Sequence, residues 1–380
     1  MSGGLLLVLG GGVAGSAAAT LLARGRARVM LVEQSAEARH KVCGEFLSAE
    51  ACESLETLGL DVRALGAAPV RRLRLAGRGR AAEHDLPFAA WSLTRCVLDE
   101  AMLRMAAESG VEVRRGLRVE ALDRDGGAWR VRMSGGETLR AGDVFVASGK
   151  HDLRGHARPQ GVQGSLIAFK QYFRLEKMQR AELDEAIELF LFRGGYAGLQ
   201  MVEGGCANFC LLVEARRYKE VGGRWEALLG AMCAESEHLR RRLDGARPML
   251  ERPLSLSRIP YGFLRRGVSE PGLWHLGDQM AVIPSFSGDG MSIALHTARV
   301  GAGMYLQGAE PGAFTKRMSA ELGGLMWRAT ALSRMMVSPS GRRLVWGAVA
   351  ACPSLLPRAA ALTRIPAAAR AKLSNPVIER

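Results

Sequence analysis

The sequence predicts an α/β protein with three parts: a Rossmann-like domain built from separated segments, an antiparallel β-sheet domain between them, and a helical C-terminal region. Three observations carry this. The apolar run Leu5-Leu6-Leu7-Val8-Leu9 leads directly into a glycine-rich turn and then an alanine-rich stretch. Far along the chain, Leu273–Leu276 leads into Gly277-Asp278 and a second turn rich in Gly and Ser. Between about 156 and 269 the pattern changes to short, loosely alternating apolar runs, the signature of half-buried strands.

A length of 380 residues suits two or three domains with a sizeable core. Hydrophobic residues at 48% and charged residues at 24% exclude a disordered or fibrous chain. The net charge of +14 is carried by arginine, since the lysines are only Lys41, Lys150, Lys170, Lys177, Lys219, Lys316 and Lys372. No basic run interleaved with aromatics accompanies it, so scattered solvated arginines are the preferred reading and nucleic acid is not an expected partner. Cys43, Cys52, Cys96, Cys206, Cys210, Cys233 and Cys352 are odd in number, with no CxxC pair and no histidine cluster. That disfavours zinc and a disulfide framework and suits a reducing cytoplasm. No signal peptide and no stretch long enough to span a bilayer is read.

The first strand feeds Gly10-Gly11-Gly12-Val13-Ala14-Gly15, a GxGxxG, followed by a helix from about Val13 to Ala23 and a strand, Arg28–Val32, that delivers Glu33. Gly10 permits the tight turn, Gly12 lets the backbone approach a pyrophosphate, and Gly15 allows close helix–strand packing. The helix N-terminus, from Val13 and Ala14, meets the phosphate charge. Glu33, with Gln34 beside it, is placed to accept from a ribose hydroxyl, which disfavours a 2′-phosphate. FAD and NAD both satisfy this motif.

The second element is Gly277-Asp278, then Pro284-Ser285-Phe286-Ser287-Gly288-Asp289-Gly290-Met291-Ser292, opening a helical run. Together the two elements resemble the flavoprotein superfamily that includes para-hydroxybenzoate hydroxylase and geranylgeranyl reductase. The resemblance spans residue 4 to about 305 and implies FAD, in a binding domain of the glutathione-reductase type. It implies that Gly277 and Asp278 hold the ribityl chain, and that Gly288, Gly290, Met291 and Ser292 present amides to the N1/O2 edge of the isoalloxazine. A helix N-terminus suits the negative charge a reduced flavin carries there.

Further segments fit the same family. Lys41-Val42-Cys43-Gly44-Glu45 occupies the position of a cofactor-side turn, which makes Lys41, Cys43 and Gly44 contacts. Arg95, with Leu98 and Asp99, resembles the Arg-x-x-Leu-Asp element and is a candidate FAD contact. Ser148-Gly149 and Arg154 stand where the family carries an Asp-Gly motif ending in Ser-x-x-Arg, with Ser148 in place of the aspartate. NADPH or NADH is the expected electron donor. The Ser148 substitution opens a second route, through a separate flavin reductase or a ferredoxin-type donor.

The FAD-binding domain is therefore expected at 1–155 plus 270–308, and a substrate-binding sheet at 156–269 that 65–90 joins. A helical region occupies 309–380. In the sheet domain Ala168–Leu175 and Glu188–Phe192 read as strands, and Gly194–Gln200 with Ala207–Leu212 as a hairpin pair. A helix is expected from Arg224 to Leu239. The C-terminal region is read first as a helical cap. The second reading is an interfacial amphipathic segment touching membrane, because Arg342, Arg343, Arg358 and Arg364 flank its apolar stretches.

In this superfamily the flavin carries the chemistry and the protein supplies placement and polarity. The resemblance implies first a monooxygenase that hydroxylates or epoxidises a hydrophobic polyketide- or isoprenoid-type metabolite through a flavin C4a-hydroperoxide. Its alternative is an alkene reductase of the geranylgeranyl type transferring hydride from N5, and a third reading is a non-catalytic FAD-binding protein. Halogenation is set aside because Trp-x-Trp-x-Ile-Pro is missing. Candidate catalytic residues are Cys43, Tyr196, Tyr261 and Pro284, the last in the turn over the flavin.

Overall fold

The computed structural model describes residues 4–77, 80–366 and Ala369. Leu6–Leu9, apolar throughout, lies at the centre of a five-stranded parallel sheet and is buried along its length. Val29–Glu33 and then Glu112–Arg115 lie on one side, Asp143–Val146 and Leu273–His275 on the other. A parallel neighbour requires a crossover, and the Val13–Arg24 helix makes the first. Its small residues Ala17, Ala18 and Ala19 are buried, which lets the helices Arg95–Glu108 and Gly290–Leu306 pack closely against it. The opposite face is covered by a meander of Val119–Asp125, Ala128–Met133 and Thr138–Ala141, through Trp129, Val131 and Met133. Sequence reasoning did not anticipate this meander.

The second sheet has nine strands. In spatial order they are Arg247–Pro248, Leu166–Arg174, Ala207–Glu214, Gly195–Met201, Ala186–Phe192, Ala68–Gly77, Arg80–Ser92 and Phe46–Leu47, with Leu254–Leu256 also on Leu166–Arg174. The expected hairpin pairs in register, Tyr196 opposite Leu212. The sheet is antiparallel with one exception, the parallel pairing of Ala186–Phe192 with Ala68–Gly77. Those two strands come from separate excursions of the chain, so no hairpin forces them antiparallel. The helix expected over Arg224–Leu239 is two, Trp225–Glu235 and Glu237–Arg242. Ser236 sits extended between them and caps the second, its hydroxyl accepting from Leu239 N at 3.2 Å.

One face of this sheet, with Phe169, Phe190, Phe209 and Leu211, packs on those two helices. The other face, with Leu73, Leu75, Tyr196 and Leu212, packs under the C-terminal helices through Trp346, Val349 and Leu356. The helices Pro311–Val337, Pro339–Ala351 and Leu355–Leu362 thus form a cap over the sheet. Trp327 is 73% exposed on its outer side. Among the described residues no helix is long and apolar enough to cross a membrane.

Candidate functional site

A single cavity of about 820 Å³ runs from the glycine turn after the first strand to the capped face of the nine-stranded sheet. At one end, Gly10 adopts φ +111, and a Cβ there would lie 2.5 Å from the Ala147 carbonyl oxygen. A Cβ on Gly15 would lie 1.8 Å from the Gly10 carbonyl oxygen, so Gly15 serves helix–strand packing and stays out of the cavity lining. Gly12 faces the cavity opposite two cations: its Cβ position is 3.2 Å from Arg95 Nη2 and 3.8 Å from Lys41 Nζ.

Both cations share one carboxylate. Arg95 donates to Asp99 through Nε (2.8 Å) and Nη2 (3.0 Å), and Lys41 Nζ donates to Oδ2 at 2.7 Å. Burial would raise Asp99, but Arg95 and Lys41 overcome it and hold its carboxyl below the ordinary carboxylate range. Two cations against one anion leave a positive charge beside a helix N-terminus that has no acid in its first turn. This arrangement suits a pyrophosphate. Glu33 accepts from Gly11 N at 2.7 Å and Ser35 N at 2.9 Å, which orients its carboxylate at the strand end with accepting capacity left for a ribose hydroxyl.

The Lys41–Leu47 turn is clamped by the nine-stranded sheet. Glu45, fully buried at φ +60, meets the fully buried Lys170 Nζ at 2.6 Å. Tyr172 Oη donates to both Glu45 oxygens (2.7 and 2.8 Å), and Arg95 N donates to Oε1 at 2.7 Å. Burial and the Glu45 charge push the Tyr172 phenol up, so it stays neutral and donating. Asn208 and Gln200 Nε2 donate to the Gly44 carbonyl at 2.8 and 2.9 Å. Three adjacent strands thereby fix the backbone that carries Cys43, whose Sγ accepts from Glu45 N at 3.3 Å.

On the far wall Gly277, at φ +55, sits 3.0 Å from Ala14 Cβ by its Cβ position and donates its N–H to Thr297 Oγ1 at 2.9 Å. Asp278 lines the cavity, 3.4 Å from Lys150 Nζ. Gly288 is left-handed at φ +72, and with Gly290 and Met291 it lines the cavity. Ser292 points away, hydrogen-bonding Ser48 Oγ at 2.8 Å. Ser148 and Gly149 line the cavity in a turn held by Gln279 Nε2, which donates to Ser148 Oγ and to the Gly149 and His151 carbonyls. Arg154 is exposed and outside the cavity lining. The buried arginine of this region is Arg158, which donates to Asp152 and to the Asp278 carbonyl, each at 2.6 Å.

The other end of the cavity is apolar, lined by Val42, Ile187, Leu189, Leu254, Leu256 and Phe286. Tyr196 and Tyr261 project into this wall, and burial pushes both phenols up, leaving them neutral. Burial pushes the neighbouring Cys210 thiol up to about 12. Pro284 is buried just outside the lining, between Ile283 and Ser285, which do line it.

Of the expected residues, Gly10, Gly12, Val13, Ala14, Glu33, Gln34, Lys41, Cys43, Gly44, Arg95, Ser148, Gly149, Tyr196, Tyr261, Gly277, Asp278, Gly288, Gly290 and Met291 all line this one cavity. Gly15, Arg154, Pro284 and Ser292 do not. Sequence reasoning missed Lys170, Tyr172, Gln200 and Asn208. The signal for Lys170 was a lone lysine amid the otherwise uncharged stretch 166–173.

The cradle fits FAD on its own geometry: a glycine turn open to two cations, a carboxylate at the strand end, and a left-handed glycine turn at a helix N-terminus. Comparison with known proteins agrees. Residues 5–164 match the family described as FAD binding domain. The chain is 27% identical over 327 residues to a menaquinone reductase of Mycolicibacterium smegmatis, covering 80% of this chain and 76% of that protein. Its fold is similar to that of the flavin-dependent brominase Bmp2, with a TM-score of 0.79, 18% identity and 97% of both chains covered. The myxobacterial chondrochloren halogenase is also similar in fold, with a TM-score of 0.75, 20% identity, and 87% of this chain and 82% of that one covered.

Proposed function

We propose, from the premise that this chain is an FAD-dependent oxidoreductase of the para-hydroxybenzoate hydroxylase superfamily, that it reduces a carbon–carbon double bond of a hydrophobic, isoprenoid-type substrate. The observation that carries this is the apolar end of the cavity, continuous with the cofactor end and joined to it at the clamped turn bearing Cys43. Likeness to a menaquinone reductase over four-fifths of the chain supports the same reading.

Once reduced by NADPH, NADH or a separate reductase, bound FAD would supply two electrons and one of the two hydrogens that the double bond gains. The chain's residues do the rest. Gly12, Lys41 and Arg95 would hold the pyrophosphate of FAD, Glu33 its ribose, and Asp278 its ribityl chain. The walls formed by Ile187, Leu189, Leu254 and Leu256 bind the substrate and exclude water. Tyr196 and Tyr261, kept neutral by burial, orient it, and the Cys43 thiol, which lines the cavity, would give the second hydrogen as a proton. Pro284 shapes the turn behind Ser285 and Phe286.

Oxygenation is the second reading, favoured by the Ser285–Gly290 turn lining the cavity beside the substrate end. One experiment separates the two. The FAD-loaded protein is reduced without oxygen, given a short-chain menaquinone with or without air, and the product is weighed by mass spectrometry. Gain of two hydrogens without air that survives reoxidation of the quinol, and so lies on the isoprenoid side chain, supports reduction, and Cys43→Ala then abolishes that gain while FAD stays bound. Gain of an oxygen atom only with air overturns reduction in favour of oxygenation. Stopped-flow mixing with NADPH and NADH reads the electron donor directly.

A further inference from the structure

The Gly288–Met291 turn is held from behind by a residue 75 positions further along the chain. Gly288 is wedged against Phe46, whose Cδ1 would lie 2.5 Å from a Cβ at that position. The next residue, Asp289, occupies the N-cap of the Gly290–Leu306 helix, yet its side chain makes no cap hydrogen bond to that helix. Its carboxylate is instead fully buried and paired with Arg364 Nη1 at 2.8 Å. The Arg364 guanidinium lies over the Phe88 ring, 4.2 Å from its centroid, and 5.6 Å from that of Phe46. Among the described residues Glu50, on the helix Ala49–Thr57, is the other charged group facing the pair, 3.9 Å from Arg364. Ile365 anchors the segment among Ala281, Ile283, Ile293 and Leu322.

A buried carboxylate without a partner is costly, and without Arg364 this one would sit directly behind the amides that line the cavity. Paired, Asp289 and Arg364 are neutral together, so the positive end of the helix remains available to the cavity. We infer that Arg364 is a positioning residue for the flavin, the C-terminal segment acting as a strap that sets the geometry and the net charge behind the Gly288–Met291 turn. The inference rests on the reading that this turn faces the isoalloxazine.

The test uses the full chain and FAD itself, titrated by flavin fluorescence at about pH 6 and about pH 8.5, with the two-electron potential as a second readout. Burial pushes Asp289 up to about 7 even with Arg364 lowering it, so in Arg364→Ala the carboxylate charges only above that, toward the higher of the two conditions. Arg364→Ala is expected to weaken FAD binding about tenfold at the higher pH and less at the lower one. Adding Asp289→Asn to that variant is expected to restore most of the affinity, because the uncompensated charge is gone. Arg364→Lys, which keeps the charge without the planar fork, falls between and serves if the alanine variant does not fold. Binding by Arg364→Ala within about twofold of the parent at both pH values overturns the inference. So does a loss that Asp289→Asn leaves unchanged. A parent chain that takes up no FAD would sink the flavin reading itself, a different outcome from either.

Discussion

Replacing Lys170 with Met tests the clamp between the Lys41–Leu47 turn and the nine-stranded sheet. Lys170 and Glu45 are both fully buried, 2.6 Å apart, and the Lys170 ammonium also lies 4.5 Å from the Tyr172 ring centroid. Methionine keeps the unbranched stem and its packing, so the perturbation is electrostatic. It leaves the Glu45 carboxylate with Tyr172 Oη and Arg95 N as donors but without a countercharge. Removing one partner of a buried ion pair costs about 3–5 kcal/mol. Pairing Lys170→Met with Glu45→Gln removes both charges, and the double variant should return to within about 1–2 kcal/mol of the parent, since such pairs roughly break even against neutral replacements. The assay is urea unfolding of all three variants and the parent, followed by far-ultraviolet circular dichroism. A Lys170→Met chain within about 1 kcal/mol of the parent would refute the reasoning, as would additive losses in the double variant.

Two further outcomes follow from the same geometry. Gly10→Ala forces a Cβ to within 2.5 Å of the Ala147 carbonyl at a backbone φ of +111, so the chain should lose about 2 kcal/mol or more and bind FAD more weakly, read by thermal shift with and without FAD. Asp289 is raised from an ordinary 3.8 to about 7 by burial, so it favours the folded state most when protonated. The stability of the parent relative to Asp289→Asn should therefore decline as pH rises from about 4 through about 7 and level off above that, measured by denaturant midpoints across the range. A flat difference would mean that Asp289 is not buried as an acid.

The two glycine turns and Glu33 were legible in the sequence because each is local. A strand, a tight turn and a helix start lie within a few residues, and only glycine tolerates the φ and the close approach at Gly10 and Gly288. The strands Leu166–Arg174, Ala186–Phe192, Gly195–Met201 and Ala207–Glu214 of the second sheet were legible from their apolar runs, and Lys41, Cys43 and Arg95 from spacing that resembles a family. The clamp and the strap were not. Lys170 and Tyr172 reach Glu45 across more than 120 residues of chain, and Arg364 reaches Asp289 across 75. Period-two alternation shows that a residue points to one face of a strand but not which partner waits there. The parallel pairing of Ala68–Gly77 with Ala186–Phe192 was hidden for the same reason, since no hairpin links them. Sequence alone thus determined the cofactor cradle, because its chemistry is written in contiguous backbone conformation. Tertiary structure decided how that cradle is braced and charged, because a buried ion pair is defined by what long-range packing brings together after desolvating both ends.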